Sequence, residues 1–173
     1  MADLNMEMLE EDGQKGKFMT FQTGSEVYGI SISYVNEIIV VQPITTIPEV
    51  PAYVKGLINL RGKIIPVIDV RIRFNLEPIE YTDRTCIIVL DVKSMTVGLI
   101  VERIAEVENI MDEDIVPPPQ IGNRENIQNK FVYGVARTKD NVKLLLDPEK
   151  LIKDEDLNAF ANTEEEAEED TQE

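Results

Sequence analysis

Apolar residues recur along this chain in short runs, mostly four to eight residues long, punctuated by Gly, Asn, Asp or Pro. KFMTFQT (17–23), EVYGISI (26–32), GLINL (56–60), KIIPVIDV (63–70), TCIIVLDV (85–92) and MTVGLIV (95–101) are representative. EIIVVQPITTI (37–47), AEVENI (105–110), FVYGVART (131–138) and VKLLLD (142–147) bring the number to ten. Val, Ile and Thr dominate these runs, and β-branched residues fit a pleated surface better than a helix. Ten short strands at this spacing predict an all-β barrel or sandwich. Helical signals are few. Asp69 and Asp147 each close a strand and precede VRIRF or PEKLI, the placement of an N-cap, and Pro148 suits a first helical position. A C-terminal helix is expected over 148–160.

The pattern repeats. YGISISYVNEI (28–38) aligns without a gap on VGLIVERIAEV (97–107), an offset of 69 that sets Gly29 on Gly98, Val35 on Ile104 and Glu37 on Glu106. VKGLINLRGKIIPVIDV (54–70) matches VYGVARTKDNVKLLLDP (132–148) at an offset of 78, setting Gly56 on Gly134 and Asp69 on Asp147. Both are strand–turn–strand units. The nine-residue difference falls in the second half, which carries VPPPQIGNRENIQNK (116–130). Two tandem five-stranded barrels built on one plan are therefore expected, over about 18–80 and 82–152. Residues 1–16 are expected to fray, and 17–153 to form the folded body.

The two closing turns differ. Asn59-Leu60-Arg61-Gly62 offers a glycine for a positive φ and places one planar cation at the tip, whereas Arg137-Thr138-Lys139-Asp140 is generic. Glu37 lies across the same barrel from Arg61, and a partly buried, bidentate ion pair between them is expected. In the 116–130 segment, Pro117, Pro118 and Pro119 stiffen the chain and are expected to present Val116 and Ile121 as an apolar edge. The plain alternative is a connection that spans the end of the second barrel.

Charge changes the picture at the C-terminus. Residues 154–173 hold ten Asp/Glu and no Lys/Arg, which accounts for −10 of the net −16 and predicts a solvated tail. With a pI near 4.4 and no basic stripe, the footprint of a nucleic-acid or anionic-membrane binder is missing. No apolar run approaches the roughly 20 residues that span a bilayer, and the start lacks a basic, apolar leader, so a soluble intracellular protein is expected, without membrane insertion.

Chemistry is scarce. The chain has no histidine and one cysteine, Cys86, expected to be a buried thiol. Nucleophile elbows, phosphate-cradling loops and dinucleotide fingerprints are absent, so no cofactor is implied. Carboxylate chemistry at Asp69, Asp91 or Asp147 is the remaining enzymatic option, and capping accounts for Asp69 and Asp147 without it. DEDIV (112–116) lacks calcium-loop spacing and reads as a solvated turn.

YGISISYVNEII, Gly-Leu-Ile-Asn-Leu-Arg-Gly at 56–62, IIPVIDVRIRF and VGLIVERIAEV together resemble the CheW family of chemotaxis coupling proteins. The likeness runs from about 18 to 152, Asn-Leu-Arg-Gly being its most specific part, and leaves out the acidic tail. It implies two SH3-like five-stranded barrels packed side by side, with few short helices, in a non-catalytic cytoplasmic adaptor. Such adaptors join the cytoplasmic tip of methyl-accepting chemoreceptors to the regulatory domain of the histidine kinase CheA. The same fold could serve another receptor–kinase array, such as one for surface motility. Carried over by position, the receptor-facing groove would include Val35, Glu37, Gly56, Arg61, Gly98 and Val107, and the kinase-facing loop Val116 and Ile121. Gly56 and Gly98 would admit the partner's backbone, so Gly98→Asp is expected to weaken receptor binding while leaving the fold intact.

Overall fold

The computed structural model describes residues 16–118, 130–138 and 141–152. The expected frayed start, the acidic tail, Ile121 and residues 153–160 lie outside the described residues, and the helix expected over 148–160 is a single turn that ends at Leu151, with Ile152 in extended backbone. Eleven strands are described: β1 (Lys17–Thr23), β2 (Glu26–Ser31), β3 (Val35–Val40), β4 (Val54–Leu60), β5 (Lys63–Asp69), β6 (Cys86–Val92), β7 (Met95–Val101), β8 (Arg103–Asn109), β9 (Ile115–Val116), β10 (Val132–Arg137) and β11 (Val142–Leu146). Helix α1 (Val70–Arg73) follows β5 and α2 (Pro148–Leu151) follows β11. Asp69 and Asp147 are their N-caps. The Asp69 carboxylate accepts from Ile72 N at 3.3 Å and that of Asp147 from Glu149 N at 3.0 Å, satisfying N–H groups that the first turn leaves without a helical partner.

Five strands form one sheet in the order β3-β6-β7-β5-β4, and six form the other in the order β8-β1-β2-β11-β10-β9. The boundary expected near residue 81 separates the two repeats but not the two sheets. Hairpin β6–β7 of the second half joins β3, β4 and β5, and hairpin β1–β2 of the first half joins β8, β10 and β11. The exchange rests on two parallel pairings, Val67 beside Gly98 and Leu145 beside Gly29. These are one contact seen twice, since Gly98 is Gly29 shifted by 69 and Leu145 is Val67 shifted by 78. The bulges repeat as well, between Val54 and Gly56 and again between Val132 and Gly134.

Each sheet is closed by the chain that leaves its third strand. Beyond β3, Thr45 exchanges two backbone hydrogen bonds of 2.8 Å with Leu57 on β4. Beyond β8, β9 sets Val116 opposite Val135 on β10, the position equivalent to Leu57. Val116 is thus a half-buried ladder residue rather than part of a projecting apolar edge.

Alternation along the central strands feeds two kinds of core. On β6, Ile87 and Val89 fill the interior of the five-stranded barrel, while Ile88 and Leu90 face a larger cluster that Met19, Phe21, Tyr28 and Ile30 of the other sheet complete. A strand buried on both faces needs a continuous apolar run, which is what TCIIVLDV supplies. Arg73 ties the periphery to this core, with its guanidinium 4.4 Å from the Tyr53 ring centre and 4.5 Å from that of Phe131, and its Nε donating to Leu151 O at 2.8 Å.

The interior of the six-stranded barrel departs from the plan. Where Ile39 and Ile65 pack in the first barrel, the equivalent positions hold Glu108 and Lys143, and these form an ion pair. Phe18, paired with Glu108 on the ladder, and Ala136, paired with Lys143, are buried beside it.

Candidate interaction site

The Arg61-Gly62 turn joins β4 to β5 in two residues. Both have positive φ, 52° at Arg61 and 87° at Gly62, the signature of a type I′ hairpin turn, and Asn59 Oδ1 accepts from Gly62 N at 2.8 Å. The equivalent turn in the second repeat is longer, and Thr138 N and Oγ1 both donate to Asn141 O. The two-residue first turn, with its Asn59–Gly62 bond, holds Arg61 close to the barrel.

From that tip, the Arg61 guanidinium donates to Glu37 on β3. The pair expected from sequence is present, but it is a single hydrogen bond rather than a fork. The Arg61 side chain is 70 % exposed and that of Glu37 28 %, so the charges remain largely in water. A bulge at Asn36, between Val35 and Glu37, re-aims Glu37.

Ladder pairings place Glu37 beside Val89, Val89 beside Gly98, Gly98 beside Val67 and Val67 beside Gly56. One row across all five strands therefore carries three of the expected site residues. Two of them do a different job from the one expected. A Cβ on Gly98 would lie 2.7 Å from Ile87 Cγ2 and 2.9 Å from Val67 Cγ1, and one on Gly56, at φ 145°, would lie 2.0 Å from Thr45 O. The space these glycines leave is filled by the protein's own chain, not held open for a partner. The expectation that Gly98→Asp spares the fold is corrected on this ground.

Val35 is half-buried against the central cluster, and Val107 on β8 is 52 % exposed. Ile38, the repeat equivalent of Val107, is 40 % exposed. On the ladders Ile38 stands beside Ile88 and Val107 beside Met19, both members of the central cluster, so each marks a rim of the core between the barrels. Ile38 was missed in the sequence although the offset of 69 points to it.

The remaining candidate groups have structural partners. Asp69 accepts from the Tyr81 hydroxyl at 2.8 Å in addition to its capping bond; burial and then this carboxylate push the Tyr81 pKa up. Cys86 is half-buried rather than buried, and its thiol donates to Arg84 O at 3.3 Å. Residues Asp112–Asp114 form a single 3₁₀ turn, and among the described residues no group of three or more His, Cys, Asp or Glu is placed to hold a metal ion. No helix among them is long and apolar enough to cross a membrane.

Comparison with known proteins agrees with this architecture. A family model for the CheW-like domain matches residues 17–156. The chemotaxis protein CheW of Treponema pallidum (strain Nichols) is 38 % identical over 150 residues, covering 84 % of this chain and 87 % of that protein. CheW of Klebsiella aerogenes is 33 % identical over 146 residues, with the same coverage. The crystal structure of the scaffolding protein TtCheW from Thermoanaerobacter tengcongensis superposes with a TM-score of 0.73 at 35 % identity, over 82 % of this chain and 94 % of that one.

Proposed function

We propose a function from one premise: this chain belongs to the CheW-like domain family, and so is a chemotaxis scaffold protein with two SH3-like β domains. Its finer role, in this reading, is to couple chemoreceptors to the histidine kinase CheA from the cytoplasm, without chemistry of its own. The receptor's helical hairpin lays apolar side chains along the rim of the inter-barrel core at Val35 and Val107, and Ile38 extends that rim. Glu37 and Arg61 fix the register of the hairpin. Gly56 and Gly98 act indirectly, by letting the barrel that carries Glu37 and Arg61 close.

The observation that carries the reading is the Glu37–Arg61 pair. It is exposed, held on a rigid two-residue turn, and close on β3 to the exposed Ile38. Kinase contact is proposed through Val116, on the edge strand β9, and through Ile121, which lies outside the described residues. Calorimetric titration with the regulatory domain of CheA from the same genome tests the coupling role. Saturable one-to-one binding is expected, and heat no different from buffer dilution up to high concentration would overturn it.

A further inference from the structure

The two members of the Glu37–Arg61 pair are also connected by a second route around the barrel surface. Lys63, two residues beyond Arg61, donates through Nζ to Thr96 Oγ1 at 2.7 Å. Thr96 Oγ1 donates to Asp91 Oδ1 at 3.0 Å, and Asp91 Oδ2 accepts from Asn36 Nδ2 at 3.1 Å. Asn36 directly precedes Glu37. This chain of side chains crosses β5, β7, β6 and β3 in sheet order, and Asp91 and Thr96 stand directly opposite on the β6–β7 ladder. Lys63, Asp91 and Asn36 are exposed and Thr96 is half-buried.

We infer that this polar rim sets the register and specificity of the proposed receptor contact, an inference that rests on the receptor-facing reading of Glu37 and Arg61. Preorganisation is the physical basis. An isolated exposed ion pair orders two long side chains at an entropic cost and gains little in water. Here Glu37 directly follows the hydrogen-bonded Asn36, and Arg61 sits on a turn held by the Asn59–Gly62 bond and by Lys63 two residues on, so less backbone and side-chain freedom remains to be lost when a partner docks.

The rim also defines what it accepts. Arg61 and Lys63 form a cationic side, and one of the three Lys63 ammonium protons is used by Thr96. Glu37, Asp91 and the Asn36 amide form an opposite, acceptor-rich side. The partner it fits is a helical hairpin with a carboxylate over Arg61 and Lys63, and a Lys, Arg or amide donor over Glu37 and Asp91. Thr96, half-buried and hydrogen-bonded to both Lys63 and Asp91, is a positioning residue and not itself a contact.

Replacing Thr96 by valine keeps shape and breaks both central bonds, while serine restores the hydroxyl. The test titrates the purified cytoplasmic hairpin fragment of a chemoreceptor from the same genome into the parent, Thr96→Val, Thr96→Ser and Arg61→Ala chains. Thr96→Val is expected to weaken binding about five-fold, a shift typical of one lost preorganising contact, and Thr96→Ser to restore it to within about two-fold. Melting temperatures should stay close to the parent's, which a merely structural role for the hydroxyl would not allow. Parent-like affinity for Thr96→Val beside a clear loss for Arg61→Ala would overturn the rim and leave the receptor-facing pair standing. Absence of binding by the parent itself would overturn the receptor-facing reading and the inference with it.

Discussion

Glu37 and Arg61 meet across the two edge strands of the five-stranded sheet, Glu37 on β3 and Arg61 at the tip of β4. The pair therefore joins opposite edges of a barrel whose backbone closure lies elsewhere, at Thr45 and Leu57. The exposure of Arg61, at 70 %, separates two quantities that are easily confused. In a double-mutant cycle with Glu37→Ala and Arg61→Ala, the coupling in unfolding free energy should be at most about 1 kcal/mol. Affinity for a receptor hairpin should fall much more than stability in either single variant. Urea denaturation and calorimetry on the same four proteins read the two effects apart.

The glycines beneath that pair should behave in the opposite way. Gly98→Asp forces a side chain against Ile87 and Val67 and buries a carboxylate among apolar atoms, which should cost about 4 kcal/mol or more of stability. Gly56→Ala places a methyl where Thr45 O now sits, in backbone that favours glycine, and should prevent the Thr45–Leu57 closure. Urea unfolding checks both. A Gly98→Asp protein as stable as the parent would return that position to the partner surface.

Inside the second barrel, the Glu108–Lys143 pair makes a sharper test. The Glu108 and Lys143 side chains are 20 % and 11 % exposed. Lys143→Met should cost about 3 kcal/mol, since Glu108 then keeps its burial without its partner. Copying the first barrel with Glu108→Ile and Lys143→Ile together should leave stability within about 1 kcal/mol of the parent, or raise it. Denaturant midpoints of the single and double variants decide between these outcomes.

The same cluster fixes a pH dependence with two opposing parts. Burial pushes the Glu108 carboxyl up, but hydrogen bonds from Lys143 and Glu106 and the Lys143 charge outweigh it, leaving its pKa below the usual range. Glu108 therefore stabilises the fold above the ordinary carboxylate pKa, and that contribution is lost as pH falls through the lowered value. Glu106 is raised, first by its hydrogen bond with Glu108 and then by that residue's charge, so its contribution is present in acid and is lost as pH rises. Removing the Glu106 part with Glu106→Gln should steepen the loss of stability on acidification, read as unfolding free energy across a pH series.

The capping aspartates complete the set. Asp147→Ala should cost about 1 kcal/mol from the cap alone. Asp69→Ala should cost about 2 kcal/mol, because the Tyr81 hydroxyl loses its acceptor as well. Chemical denaturation of the two variants compares them directly, and equal losses would remove the Tyr81 bond from the account.

Much of this fold was legible because it is written twice. The offsets of 69 and 78 correctly align the parallel pairings, the bulges and the caps, and the Arg61-Gly62 turn declares its geometry through a glycine at the right place. What escaped the sequence depends on distant neighbours. Nothing in MTVGLIV or KIIPVIDV says that the first will pair in parallel with the second, so contiguous barrels were expected where hairpins are exchanged. A glycine reads the same whether a partner or its own chain fills the space beside it, and only the positions of Thr45, Ile87 and Val67 decide that for Gly56 and Gly98. Glu108 and Lys143 are 35 residues apart, and nothing in AEVENI or VKLLLD shows that the ladder places both inside a barrel.

The most direct test of the coupling role is reconstitution of receptor control over the kinase. Autophosphorylation of CheA would be measured with membranes carrying chemoreceptors of the same genome, in the presence and absence of this protein. Receptors are expected to raise kinase activity only when the protein is present, and Arg61→Ala to abolish most of the rise. Kinase activity that responds equally to receptors with and without it would contradict the account.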